Sequence, residues 1–212
     1  MSLNADKVTE RSVDSIARIY AVVTALAISQ TVQTFLKAPG GGLVGRGELI
    51  EGVPPLVAFL VTLVPFWHGM NRHLDRCYLE KEGTVIRGAL LFDFTVFFCE
   101  AGLLFATGFA LRSGLICFYF LGLLLLIDMF WGAISHQIHF AGEKSHVVRW
   151  SAINIAAGFL AFLIVELPFN QRPWVLMGVA IVRSIADYAI CWGFYFPKPA
   201  RASAESAEAK QD

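Results

Sequence analysis

Charged side chains are scarce in this 212-residue chain, where Asp, Glu, Lys and Arg make up 16% of the residues. Ordinary soluble domains contain roughly 25%. The 17 basic and 17 acidic residues also cancel, so the chain has no excess of basic charge with which to hold a nucleic acid. Hydrophobic residues fill 56% of the sequence instead. This composition excludes an ordinary soluble domain and indicates a membrane protein.

Short segments of alternating polar and apolar residues, which a membrane β-barrel requires, are also missing. The apolar residues fall in six blocks of about 20 residues, the length that a helix needs to cross a bilayer. The blocks are Ile16–Leu36, Pro55–Met70, Val85–Leu111, Leu115–Ser135, Trp150–Phe169 and Trp174–Phe196. The predicted fold is therefore an all-α, polytopic membrane protein. Residues 1–197 form a bundle of six transmembrane helices, and residues 198–212 form a disordered cytoplasmic tail.

Basic residues are unequally divided between the two ends of these predicted helices. Twelve lie at the end that carries both termini, and four lie at the other end, namely Lys37, Arg46, Arg112 and Arg172. Because basic residues are retained on the cytoplasmic side of a membrane, the sequence predicts that both termini are cytoplasmic. The predicted location is the cell (inner) membrane of a bacterium.

Recognisable catalytic and cofactor motifs are absent. The glycine-rich segment "KAPGGGLVGRGELIEGVPP" has no following Gly-Lys-Ser/Thr and is not a phosphate-binding loop. Its last residues, Pro54 and Pro55, are predicted to begin the second helix. The four cysteines lack metal-type spacing and are predicted to be reduced, buried thiols. They are Cys77, Cys99, Cys117 and Cys191.

Five charged residues lie well inside the predicted helices, away from the helix ends, where each costs about 2.5–3.5 kcal/mol on insertion scales. They are Asp93, Glu100, Asp128, Arg183 and Asp187. Four acids against one base leave surplus carboxyl groups, which must be protonated, meet water or meet a cation. The sequence predicts an acidic polar cavity in which Arg183 is the counter-ion and pairs with Asp128 or Asp93. The alternative is a structural network of protonated, hydrogen-bonded acids.

Four histidines cluster near the predicted cytoplasmic ends of the second and fourth helices: His68, His73, His136 and His139. Histidine titrates near neutral pH, so these residues are candidates for a cytoplasmic gate or a proton acceptor. Two alternatives stay open. The rings could be polar tips at the membrane interface, or metal ligands, since His136 and His139 have an i,i+3 spacing that helical ligands use. No metal and no cofactor are expected, because no His-Glu-x-x-His motif is present.

Small and polar residues recur at helical spacing along the fifth predicted helix, at Ser151, Asn154, Gly158 and Ala161. A similar stripe on the fourth contains Asp128. Such stripes allow close helix packing and can also line a water-filled path. The stripe on the fifth helix carries no charge, so packing is the preferred interpretation there.

The end of the second predicted helix reads "FWHGMNRH". This aromatic, histidine and arginine pattern resembles that of the prokaryotic six-helix relatives of the lysosomal potassium channel. The helix number, the chain length and the cytoplasmic termini are similar too. The Phe-Ser-Asp motif that marks the first helix of that family is absent from "RSVDSIARIYAVVTALAIS". We therefore assign no residue of an ion filter by resemblance.

These observations predict an integral membrane protein that moves an ion, namely a cation or a proton, or a small solute through an acidic intramembrane cavity. One alternative is an integral-membrane, metal-dependent hydrolase that acts on a lipid-like substrate at the cytoplasmic leaflet. Another is a non-catalytic assembly or sensing subunit with a structural polar core. The expected partners are the lipid bilayer and further copies of the chain.

Overall fold

A computed structural model of the chain describes residues 2–38, 40–80, 87–140 and 146–197, most of which are helical and none of which forms a strand. In chain order the elements are α1 (Ser2–Leu36), α2 (Arg46–Leu74), a π-helical turn (Asp75–Leu79), α3 (Arg87–Phe109), α4 (Ile116–His139), α5 (His146–Glu166), α6 (Arg172–Ile190) and α7 (Trp192–Tyr195). Helices α1 to α6 are each long and apolar enough to cross a membrane, so the prediction of six helices of membrane-spanning length and composition is confirmed. The predicted tail, residues 198–212, lies outside the described residues.

Three helix boundaries differ from the prediction by more than five residues. Helix α1 begins well before Ile16, because apolar patterning marks only the part of a helix that faces lipid. Helix α2 begins at Arg46, so Pro54 and Pro55 lie inside it rather than at its start. The sixth predicted segment is broken at Cys191, between α6 and the single turn α7.

The distribution of side chains is that of a membrane protein. Large apolar residues are exposed on the outside of the bundle, among them Phe98, Phe130 and Val182, each more than half exposed. Acidic residues and an arginine are buried inside it. Lipid provides no hydrogen-bond partners, so the outer surface is apolar and the polar groups collect between the helices.

Two apolar clusters fill the core at different depths. The near cluster lies towards the end of the bundle where α1 begins and includes Val13, Leu74, Phe97 and Trp131. The far cluster lies towards the opposite end and includes Ala27, Phe59, Leu104, Leu124 and Leu176. Asp128 of α4 and Asn154 of α5 fall between the positions that contribute to the two clusters, and Glu100 of α3 lies beside the last near-cluster position of its helix, Ala101. The core is therefore apolar, polar and apolar again along the bundle axis.

Arginines close two helix ends at the far side of the bundle. Arg112 donates from Nε to the carbonyl of Thr34 at 2.5 Å and from Nη2 to that of Phe35 at 2.9 Å. Arg172 donates from Nη1 to the carbonyl of Val165 at 2.7 Å. The last carbonyls of a helix have no partner within it and carry partial negative charge. Two of the four far-end basic residues thus have a structural role as caps of α1 and α5.

Candidate functional site

Five buried polar side chains from four helices meet between the two apolar clusters, and we call them the central network. They are Glu100 of α3, Asp128 of α4, Asn154 of α5, and Arg183 and Asp187 of α6, each at most 3% exposed. Four of the five ionisable residues singled out in the sequence belong to it. Asn154 was assigned to packing instead, and Asp93 lies elsewhere.

Asn154 connects the arginine to an acid on another helix. Its Oδ1 accepts hydrogen bonds from Nε and Nη2 of Arg183 at 2.8 and 2.7 Å. Its Nδ2 donates to the carboxylate of Asp128. The direct ion pair of Arg183 is with Asp187 of its own helix, at 3.4 Å between Nη2 and Oδ2. The expected direct pairing of Arg183 with Asp128 or Asp93 is replaced by a bridge through an amide.

Two carboxyl groups of the network contact each other. The side chains of Glu100 and Asp128 are within hydrogen-bonding reach. A carboxylate is only an acceptor, so a hydrogen bond between two carboxyl groups requires a proton on one of them. A carboxyl pair of this kind can hold one proton between its two members.

The break at Cys191 brings a hydroxyl group back to the network. The hydroxyl of Tyr195 donates to Oδ2 of Asp187 at 3.0 Å, although eight residues separate the two and would span about 12 Å along a continuous α-helix. Burial, and then the charge of Asp187, raise the pKa of Tyr195, so its hydroxyl keeps the proton that it donates. Burial is also the main reason why the pKa of the Cys191 thiol is raised to about 12.

Asp93 forms a second polar group at the near end, which we call the Asp93 cluster. Its carboxylate accepts hydrogen bonds from His73 Nε2 at 2.9 Å, Tyr78 hydroxyl at 2.7 Å and Trp131 Nε1 at 2.8 Å. Nε2 of His139 lies 3.5 Å from the same carboxylate. Asp93 is fully buried. The ionisable residues thus occupy two sites and not one cavity.

The four predicted gate histidines separate in the same way. His73 and His139 belong to the Asp93 cluster. The Nδ1 atom of His68 lies 3.2 Å from the Tyr188 hydroxyl. The centroid of the His68 ring lies 4.8 Å from the centroid of the Tyr195 ring. His136 lies apart from both groups, and its Nδ1 has no partner among the residues that the structure describes.

The stripe on α5 does serve helix packing, as the sequence suggested. A Cβ atom at Gly132 of α4 would lie 2.4 Å from Oγ of Ser151, and one at Gly158 would lie 3.6 Å from the carbonyl oxygen of Gly122. Asn154 sits between these contacts and has the additional role of the bridge. A mid-helix amide in an otherwise apolar segment was the signal for that role.

The part of the bundle that the structure describes contains a small cavity. One cavity of about 10 Å³ is lined by His73, Trp131, Trp150 and Tyr195, among others, and has room for roughly one water molecule. Comparisons of the chain with protein-family models, with curated proteins and with solved structures find no match. The function is therefore argued from the chemistry of the two polar sites.

Proposed function

We propose that the protein moves protons or other cations across the membrane through the central network. The observation that carries this proposal is the imbalance of charge: Glu100, Asp128 and Asp187 surround the single guanidinium of Arg183 in an apolar bundle. With all four groups ionised the network would hold two uncompensated negative charges. Such charges are not tolerated in an apolar interior, so the network takes up protons or cations.

Unpaired polar atoms support an exchangeable network rather than a closed structural one. Asp187 Oδ1, Arg183 Nη1 and the Tyr20 hydroxyl are buried and have no hydrogen-bond partner among the described residues. Tyr20 interacts electrostatically with Glu100 and Asp128. Buried polar atoms that lack a protein partner are normally satisfied by water or an ion. These atoms therefore favour a network that accepts mobile species.

The two apolar clusters argue for alternating access rather than an open pore. The near cluster and the far cluster cover the network on either side along the bundle axis. We propose that ions reach the network from one side at a time, as helices move within one cluster and then within the other. Further copies of the chain are not required for this mechanism.

We further propose that both termini are cytoplasmic and that the membrane is the inner membrane of a bacterium. The twelve-to-four division of basic residues supports this orientation. In a cysteine-free background, an impermeant maleimide applied to intact cells should label Gly47→Cys at the far end and leave Asp75→Cys unlabelled. Labelling of Asp75→Cys alone would show that the orientation is the opposite of the one proposed.

Transport is tested with purified protein in liposomes. We expect a flux of protons, potassium or sodium that falls at least tenfold in Glu100→Gln and Asp128→Asn, because each change removes a charge and retains the side-chain volume. Glu51→Gln is the matched control, since Glu51 is an exposed acid outside the network. Its flux should equal that of the parent.

Two results would overturn the proposal. One is a flux no greater than that of empty liposomes for all three ions, with the protein folded and inserted. The other is an unchanged flux in both network variants. The second result would place any transport path outside the central network.

A further inference from the structure

We infer that His73, Cys77 and His139 bind a transition-metal ion, with zinc as the ion that this ligand set fits best. One ligand atom from each of the three residues lies within 4.8 Å of the other two. The ligands come from the end of α2, the π-helical turn and the last residue of α4. The site shares no residue with the central network, so it stands or falls independently of the proposed transport.

The distance between two of the ligand atoms is close to that of a metal site. Cys77 Sγ lies 3.7 Å from His73 Nδ1. In a tetrahedral zinc site with Zn–S near 2.3 Å and Zn–N near 2.0–2.1 Å, sulfur and nitrogen lie roughly 3.5 Å apart. A small shift of one side chain would bring the two atoms to that separation.

Asp93 occupies the position of a carboxylate that orients a histidine ligand. His73 contacts Asp93 through Nε2 at 2.9 Å, which directs Nδ1 on the other edge of the ring towards Cys77. A metal-binding histidine characteristically donates its second ring N–H to a carboxylate, which fixes the tautomer and the ring plane. Asp93 is itself held by Tyr78 and Trp131. His73 is thus the ligand, Asp93 orients it, and Tyr78 and Trp131 hold Asp93 in place.

The π-helical turn explains how one helix end supplies so many of these groups. Glu80 N–H bonds to the Asp75 carbonyl, five residues back. The wider turn puts Tyr78 beside His73, five positions apart, so that both reach Asp93 while Cys77 stays buried next to His73. Such π turns recur at functional sites.

Charge balance also favours a divalent ion. A Cys77 thiolate and the Asp93 carboxylate supply two negative charges, and neutral His73 and His139 supply none. A divalent cation therefore makes a neutral group inside the apolar near cluster. Sulfur and imidazole ligands select zinc or copper over magnesium and calcium. Three protein ligands leave a fourth position, and the small cavity beside His73 has room for one water molecule.

The test uses untagged, full-length protein in detergent, treated with a chelator and then titrated with Zn²⁺ or Co²⁺. We expect one ion per chain, a rise in melting temperature on zinc addition, and a thiolate-to-cobalt charge-transfer band. Cys77→Ser should abolish the band, and His73→Ala or His139→Ala should lower the affinity at least tenfold. Asp93→Asn should weaken binding about 10–100-fold, as loss of an orienting carboxylate does.

Cys99→Ser is the matched control, because Cys99 is exposed on the outside of α3 and its replacement should change nothing. The inference is overturned if folded parent protein binds less than about a tenth of an equivalent of either ion. It is also overturned if Cys77→Ser keeps the charge-transfer band. A histidine variant that does not fold is replaced by Cys77→Ser, a nearly isosteric change, in which a missing zinc-induced melting shift supports the site and a retained one overturns it.

Discussion

The hydroxyl of Ser184 on α6 donates a hydrogen bond of 2.6 Å to the backbone carbonyl of Val61 on α2. That carbonyl is free because Pro65, four residues later inside α2, has no N–H to give it. In lipid a carbonyl without a hydrogen-bond donor raises the free energy of the folded protein, and a neighbouring serine can supply that donor. The proline and the serine thus act together to join two helices.

This relationship predicts a coupled effect on stability. Ser184→Ala should lower the free energy of unfolding by about 0.5–1.5 kcal/mol. In a Pro65→Ala background the loss should be smaller, because the new backbone N–H at position 65 can bond to the Val61 carbonyl. Denaturant unfolding of the four proteins in detergent measures the coupling. Equal losses in the two backgrounds would show that the serine does not act through this carbonyl.

The bridge through Asn154 gives a second prediction. Asn154→Leu keeps a similar volume but removes the hydrogen bonds that Arg183 and Asp128 make to the amide, so unfolding should require about 1–3 kcal/mol less free energy. Asn71→Leu is the control, since among the described residues the Asn71 amide bonds only to the Trp67 carbonyl of its own helix. This substitution should change the free energy of unfolding by less than about 0.5 kcal/mol. Similar losses of unfolding free energy in both variants would show that the bridge stabilises the protein no more than a local hydrogen bond does.

Close contact between α1 and α3 predicts a difference between two glycines of α3. A Cβ atom at Gly108 would lie 2.3 Å from Thr31 Oγ1 and 3.1 Å from the carbonyl oxygen of Ala27, whereas one at Gly102 would meet no atom within 4 Å. Gly108→Ala should destabilise the protein by about 1–3 kcal/mol. Gly102→Ala should be neutral or stabilise it by up to about 1 kcal/mol. The melting temperature in detergent should therefore fall in Gly108→Ala and stay the same or rise in Gly102→Ala.

The ion pair between Arg72 and Glu80 predicts a pH dependence. A hydrogen bond from Arg72, aided by the charges of Arg72 and Arg76, holds the pKa of Glu80 below its usual value. Since the folded pKa is lower than the unfolded one, the stabilisation is present above the unfolded value, near 4.3, and is lost as the pH falls through the folded value. Glu80 is half exposed, so the contribution should be about 0.2–1 kcal/mol.

The melting temperature of Glu80→Gln should therefore fall below that of the parent at neutral pH, and the gap should close as the pH drops below about 4.3. Glu51→Gln, which removes an exposed acid at the other end of α2, should show no such pattern. A gap that is constant with pH, or that widens in acid, would contradict the assignment.

Sequence patterns predicted the bundle because each transmembrane helix needs a long apolar segment, and such segments are visible one at a time. Burial of Glu100, Asp128 and Arg183 followed from the same reasoning, since they lie in the middle of those segments. The division into two polar sites could not be predicted. Asp93 and Glu100 share a face of α3, and only the rotation of the neighbouring helices decides which partners each one meets.

Two local features also leave little mark on the sequence. A π-helical turn adds one residue to an otherwise ordinary helix, so the approach of Tyr78 to Asp93 had no spacing signal. No proline lies between Trp174 and Phe196 to mark the break at Cys191. The apolar pattern continues to Phe196, so nothing in the sequence indicated that Tyr195 returns to Asp187. Both features depend on contacts between segments rather than on local preference.

The stacking of an apolar, a polar and an apolar layer also determines how the protein experiences an electric field. Voltage falls mainly across weakly polarisable material, which here means the near cluster and the far cluster. A potential of 100 mV does about 2.3 kcal/mol of work on one elementary charge that crosses the whole membrane, and a proton that reaches Glu100 or Asp128 from one face crosses only part of it. Under the proposed transport, proton occupancy of this pair should therefore respond to the membrane potential as well as to the proton concentration on either side. The proposed flux would then depend on voltage without an arginine-rich helix.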